Sequence, residues 1–222
     1  MRPLLVVVLS PSRDETKPIF LKAFREYGLP SRIRTDNGGP FASIALGRLS
    51  RLSVWWIRLD ILPQLIEPGR PDKNGRHERM HKTLKDRTTR PPAANRCAQQ
   101  RKFNEFVATF NTERPHESLG QDRPAAHYVP SSRPYPEKLS PVEYLAHFEV
   151  RRVANNSCLR WRSRPIHVTN VLAGEYVGLE EIDNDVWDVY FGPVKLGQLD
   201  DELGKIVDVN RNPCRTKKYI KL

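Results

Sequence analysis

The chain has 222 residues, enough for one large domain, or a core with a small second domain, and enough to bury a sizeable interior. Its 37 basic against 26 acidic side chains leave a net charge of +11, which points to a polyanionic partner. Cys97, Cys158 and Cys214 are too far apart for a disulfide framework or a Cys-x-x-Cys zinc site, and no run approaches the roughly 20 apolar residues of a membrane span, so the expectation is a soluble cytoplasmic protein.

Residues 4–9, Leu-Leu-Val-Val-Val-Leu, form the continuous apolar run that a strand covered on both faces requires. No small-residue cleavage site follows Leu9, which argues against a signal peptide. From Thr16 to Tyr27 the residues Ile19, Phe20, Ala23, Phe24 and Tyr27 fall on one helical stripe, stopped by Gly28 and Pro30. Arg32-Ile33-Arg34-Thr35 reads as a short strand delivering Asp36 into the turn Asn37-Gly38-Gly39. Strand, helix, strand is a βαβ unit, whose active residues collect at the C-terminal ends of the strands. Over 42–59 the pattern is helical and apolar, with Gly47 dividing it into two pieces. Trp55 and Trp56 lie inside that apolar run and read as core rather than as a base-stacking platform. Residues 64–66 add a further short strand.

The loop Pro68-Gly69-Arg70-Pro71-Asp72-Lys73-Asn74-Gly75 leads into a helix over 74–87. Met80 and Leu84 make its buried side, while Glu78, Lys82 and Lys85 at i, i+4, i+7 make another face. Taken alone that face is a solvated Glu–Lys pairing. Asp36 at a strand end and Glu78 near a helix start are nevertheless two carboxylates that can meet in a fold and hold a divalent metal. After Pro91-Pro92, a helix over 95–111 aligns Phe103, Phe106, Val107 and Phe110, and runs into Asn111-Thr112-Glu113-Arg114-Pro115-His116. A proline-rich stretch at 131–146 reads as a linker. The texture then changes to short strands at 148–153, 165–169, 176–182, 186–191, 194–199 and 205–209, the spacing of a small β-barrel or sandwich. A basic tail closes the chain. The charge is uneven: residues 151–222 hold twelve basic and ten acidic side chains, leaving 25 against 16 in residues 1–150, beside the candidate carboxylates.

Three motifs carry a resemblance. Thr35-Asp36-Asn37-Gly38, then Pro68-Gly69-x-Pro71-x-x-Asn74-Gly75-x-x-Glu78-Arg79, then Phe110-Asn111-x-x-Arg114-Pro115-His116-x-x-Leu119, resemble in order and context the integrase-core (DDE) transposases of bacterial insertion sequences. These are relatives of retroviral integrase with an RNase H-like fold. The resemblance covers roughly residues 4–128, and the β-rich remainder resembles the small C-terminal barrel of some members. It implies an α/β, RNase H-like mixed sheet with flanking helices, incomplete at its N-terminus, over 1–130. A linker at 131–146, a small all-β barrel at 147–211 and a basic tail at 212–222 follow.

The activity implied is DNA transposition or integration by a DDE-type polynucleotidyl transferase, in which three carboxylates bind two Mg²⁺ or Mn²⁺ ions. By resemblance Asp36 is the second carboxylate and Glu78 the third. The 41 residues between them slightly exceed the spacing named in the D,D(35)E class. Arg76, Arg79, Lys82 and Lys85 would lie on the DNA backbone. The implied partners are transposon ends, target DNA and further copies of the chain, with a nucleoid-associated location. His77 and His81 read as ordinary surface or core residues, and Arg114 and His116 as fixing the loop after the Phe110 helix. The family's first Asp lies on an earlier strand. The only upstream acids here are Asp14, Glu15 and Glu26, and the first two sit where N-capping explains them. The resulting expectation is an N-terminally truncated transposase, inactive alone. The alternative is a non-catalytic DNA-binding remnant that competes with or regulates an intact transposase.

Overall fold

The computed structural model describes residues 13–66, 75–183 and 185–208, without the side chains of 13–15 and 75–78. The strand expected at 4–9, the glycine-rich loop 68–74, the basic tail, and the side chains of Asp14, Glu15, Arg76, His77 and Glu78 lie outside the described residues. The described residues fall into two compact units. One takes those up to Leu29 and from Ile66 to Tyr135; the other takes Pro30–Leu65 and those from Pro136 onward.

The first unit is helical. Helix α1 (Arg13–Tyr27) buries Phe24 and ends at Gly28, whose φ of +76° is the left-handed conformation that closes a helix cheaply only at glycine. The segment beyond the last helix returns to this end: Leu29 N donates to Arg133 O at 2.7 Å and Ser131 N to Tyr27 O at 3.2 Å. Helices α3 (Gly75–Thr88) and α4 (Arg96–Thr112) pack through Leu84, Phe103, Phe106 and Phe110, the stripe expected from the sequence. Gln99 fastens the turn between them, donating to Thr88 O and accepting from Ala93 N, each at 2.9 Å.

The second unit is organised on strands. β1 (Arg32–Thr35) pairs in parallel with β2 (Leu62–Leu65), Thr35 opposite Leu65. Between them the apolar stretch divides at Gly47 (φ +62°) into a 3-10 turn (Leu46–Arg48) and helix α2 (Arg51–Ile57). A capping box starts α2: Ser50 Oγ accepts from Ser53 N at 3.2 Å and Ser53 Oγ accepts from Ser50 N at 2.8 Å. Trp55 and Trp56 are core, as expected, Trp56 being fully buried and stacked on Phe41.

The C-terminal strands form a five-stranded antiparallel sheet of β3 (Glu149–Arg152), β6 (Tyr176–Asp183), β7 (Val186–Phe191), β8 (Val194–Asp200) and β9 (Lys205–Val207), in that order. A hairpin of β4 (Cys158–Trp161) and β5 (Arg164–His167) stands apart from it. Among the described residues the expected barrel is therefore not closed. β3 and β9, the edges, are only four and three residues long, and they meet the hairpin strands by packing, not by a ladder. Leu159, Trp161, Val177, Leu179, Val189, Phe191 and Leu196 fill the core of this unit, and Leu49, Val54 and Ile57 pack into it.

The stretch expected to be a linker is held by hydrogen bonds along much of its length. Within the second unit Arg58 donates to Leu139 O (3.1 Å) and Ser140 O (3.4 Å) while pairing with Glu175 (3.2 Å). Tyr144 then enters the sheet, where its hydroxyl donates to Tyr176 O at 2.9 Å and accepts from Gly192 N at 3.2 Å. Burial pushes this phenol up to about 12.

Candidate functional site

Asp36 follows β1 directly, at the C-terminal end of the parallel pair, where α/β folds collect reactive groups. Its side chain is exposed, and Oδ1 accepts the Gly38 N–H at 3.0 Å, closing an Asx turn. A Cβ at position 38 would stand 3.2 Å from the same oxygen, so the glycine keeps the turn tight. Oδ2 has no partner among the described residues. A hard, half-committed carboxylate oxygen of this kind suits Mg²⁺ or Mn²⁺ better than a soft metal.

Position 78 lies in the first turn of α3. The helical register places positions 78, 82 and 85 on one face, distinct from the side on which Leu84 and Thr88 are buried. Arg79, Lys82 and Lys85 are all exposed. Asp36 belongs to the second unit and position 78 to the first. Among the described residues no group of three His, Cys, Asp or Glu side chains is set to hold a metal, and Glu78's carboxylate is not one of those described.

The third motif is ordered by packing around one ring. The guanidinium of Arg114 lies over Phe110 at 5.6 Å, and His116 meets the same ring edge-on at 4.7 Å. His116 N donates to Asp122 O at 3.0 Å, and Asp122 in turn pairs with His127 at 3.0 Å. These contacts fix the loop after α4, which is the role expected of Arg114 and His116.

The loop that follows Asp36 corrects the expectation of a helical piece before Gly47: residues 42–45 are held as a loop, and only Leu46–Arg48 makes a 3-10 turn. Phe41 N and Ala42 N both return to Gly38 O, Ser43 N donates to Arg48 O at 3.1 Å, Ser43 Oγ to Leu49 O, and Ser50 Oγ to Phe41 O at 3.0 Å. Ile44 stands at the tip of this pinned loop, 83% exposed. The signal in the sequence is faint: an apolar residue flanked by two small ones, Ser43 and Ala45, in a stretch with arginines and no acids from 37 to 59.

No described helix is long and apolar enough to cross a membrane. Residues 59–124 match the family model of the integrase core domain. That span contains α3, position 78 and the Arg114 motif, and stops short of Asp36. A chain in the simian T-cell lymphotropic virus intasome, solved in complex with PP2A regulatory subunit B56 gamma, is similar at 17% identity with a TM-score of 0.42. The likeness covers 84% of the present chain and 64% of that one, so the present chain spans less than two thirds of its length. The stretch from Leu59 to Arg123-Pro124, helices α3 and α4 included, is integrase-core-like.

Proposed function

We propose that the protein acts on DNA phosphodiesters as a transposase-type recombination protein of the DDE class. The integrase-core match over 59–124, coinciding with an exposed row of cations on α3, is the observation that carries this reading. Asp36 and Glu78 would hold Mg²⁺ or Mn²⁺, an ion that, when bound, lowers the pKa of an attacking water or 3′-hydroxyl and stabilises the leaving oxygen. The chain's own contribution is positional. The Gly38 N–H holds one oxygen of Asp36 in the turn, which leaves the other to a ligand with the side chain already ordered. Arg79, Lys82 and Lys85, and by the resemblance Arg76, would neutralise backbone phosphates along the helix that carries Glu78. DNA ends, target DNA and further copies of the chain are the partners this reading calls for.

Two carboxylates are two of the three that a DDE site uses, which makes strand transfer the discriminating assay. Joined DNA product formed with Mn²⁺ and abolished by Asp36→Asn supports a catalytic chain. Salt-dependent DNA binding with no cleavage or joining supports instead a non-catalytic DNA-binding protein, for which the α3 cations alone suffice. Absence of DNA binding at low salt rejects both.

A further inference from the structure

We propose that Ile44 is an apolar wedge that inserts into duplex DNA, with Arg48 and Arg51 of the same platform holding its phosphates. The inference rests on the DNA-acting reading above and adds to it how the duplex is deformed.

Ile44 is 83% exposed. A single exposed apolar residue needs no explanation on a mobile surface. Ile44 is different because the backbone on both sides of it is tied down. Ser43 is held through its N–H to Arg48 O and its hydroxyl to Leu49 O. Ala45 N donates back to Ser43 Oγ at 3.0 Å, and Arg48 N donates to Ala45 O at 2.8 Å. Below the tip, Ala42 and Leu49 are buried, Leu46 packs on the sheet core, and Gly47 fits against Leu196 and Val194, where a Cβ would stand 3.0 and 3.2 Å from their methyl carbons. The loop is thus a platform seated on the unit's core, and Ile44 projects from it at 83% exposure. Holding an apolar side chain rigidly in water gains nothing for the fold, since it neither covers a neighbour nor is covered.

Charge identifies the occupant. From residue 37 to 59 the chain has three arginines and no acid. Arg58 is committed to Glu175 and to the carbonyls of Leu139 and Ser140. Arg48, whose carbonyl anchors the loop, and Arg51, exposed at the start of α2, have no acidic partner among the described residues. An apolar tip on a loop whose arginines, Arg48 and Arg51, have no acidic partner among the described residues suits the way wedge-bearing proteins open a base step: cations grip phosphates, and an Ile, Leu or Phe enters between bases and kinks the duplex. An apolar protein groove would leave the two arginines without a role. The platform continues from the loop that carries Asp36, with only the Asn37–Ser43 stretch between that carboxylate and Ile44 in the chain.

The test uses the full chain and a short duplex carrying a fluorophore at each end and a 2-aminopurine reporter within. Wild type should shorten the end-to-end distance and raise 2-aminopurine emission, as unstacking requires. Ile44→Ala should abolish both signals and weaken duplex binding by roughly tenfold, the order expected when one Ile loses its burial, while its salt dependence stays unchanged. Arg48→Gln with Arg51→Gln should flatten the log–log salt slope by about 2. Because Ile44 is almost fully exposed, its substitution should leave the melting temperature unchanged, which separates lost insertion from lost folding. Wild-type binding without bending, or bending that survives Ile44→Ala, overturns the wedge while leaving the DNA-acting reading intact. Failure of wild type to bind any duplex overturns that reading as well.

Discussion

Gly178 sits in the middle of β6 under the ring of Tyr144, and replacing it should expose how the sheet is fastened. A Cβ there would stand 2.6 Å from Tyr144 Cε1 and 2.9 Å from Phe148 Cδ1, closer than carbon atoms pack. Overpacking of this kind costs about 1–3 kcal/mol. The ring cannot yield without moving its hydroxyl, which bonds Tyr176 O at 2.9 Å and Gly192 N at 3.2 Å. Losing both bonds adds about 1–3 kcal/mol, so Gly178→Ala should destabilise by about 2–6 kcal/mol. With Tyr144→Ala in place the niche is open, and the same substitution should be nearly neutral, a residual Phe148 contact being offset by about 0.4–1 kcal/mol from reduced freedom of the unfolded chain. Urea unfolding of the wild type, both single variants and the double variant closes the cycle. A coupling of about 2 kcal/mol or more is expected. Additivity within about 0.5 kcal/mol would refute the claim that Gly178 is glycine for the sake of Tyr144.

Tyr144 also predicts a pH effect. Its folded pKa of about 12 lies above the ordinary 10, so its contribution is fully present below pH 10 and is lost as pH rises from 10 to 12; Tyr144→Phe should flatten the stability profile in that window alone. Gly28→Ala places a Cβ 2.8 Å from Ser131 O and 2.9 Å from Arg133 O at φ +76°, and should lower stability by about 2 kcal/mol or more in thermal unfolding. Asp36→Asn keeps an oxygen to accept the Gly38 N–H, so the melting temperature should stay put while calorimetric Mn²⁺ affinity falls; unchanged Mn²⁺ affinity would remove Asp36 from the metal set. Lys85→Gln should reduce the slope of log affinity for DNA against log salt by about 1, whereas Arg160→Gln, an exposed position on β4, should not change it.

Elements with a clean period were legible from residues alone. α1, α3 and α4 follow their apolar stripes, and β7 begins and ends at Val186 and Phe191, as its alternation and the flanking polar and Gly-Pro turns dictate. β4 was not legible. Its two-residue turn to β5 uses Arg162 and Ser163 at φ +42° and +70°, a conformation normally announced by Asn-Gly, so the hairpin lacked its usual signal. The partners of α2 were not legible either. Its apolar run marks it as core, but does not say that Leu49, Val54 and Ile57 join the core of strands some hundred residues later. At the candidate site, Asp36-Asn37-Gly38 announced its turn, because Asx chemistry is local. Ile44 could not be recognised, because its exposure depends on which of its neighbours are pinned from below.

Charge and packing together assign the sheet a supporting part. Residues 147–208 hold seven basic and eleven acidic side chains, a net negative surface inside a strongly positive chain. One of those cations, Arg162, is already spent between Asp185 (2.7 Å) and Asp201 (2.8 Å), and another, Lys195, on Asp188. A polyanion approaching the sheet meets the exposed acids Glu181 and Asp183 on β6 and Asp185 in the turn after it, so the sheet is a poor DNA surface by its own composition. Its core nevertheless receives Leu46, Leu49, Val54 and Ile57, the undersides of the platform and of α2. Rigid presentation of Ile44, Arg48 and Arg51 therefore depends on a sheet that itself avoids DNA. On this reading, substitutions deep in that core, such as those at Leu196 beneath Gly47, would act on DNA bending through the seat of the loop and leave the salt dependence of binding to α3 and the platform arginines.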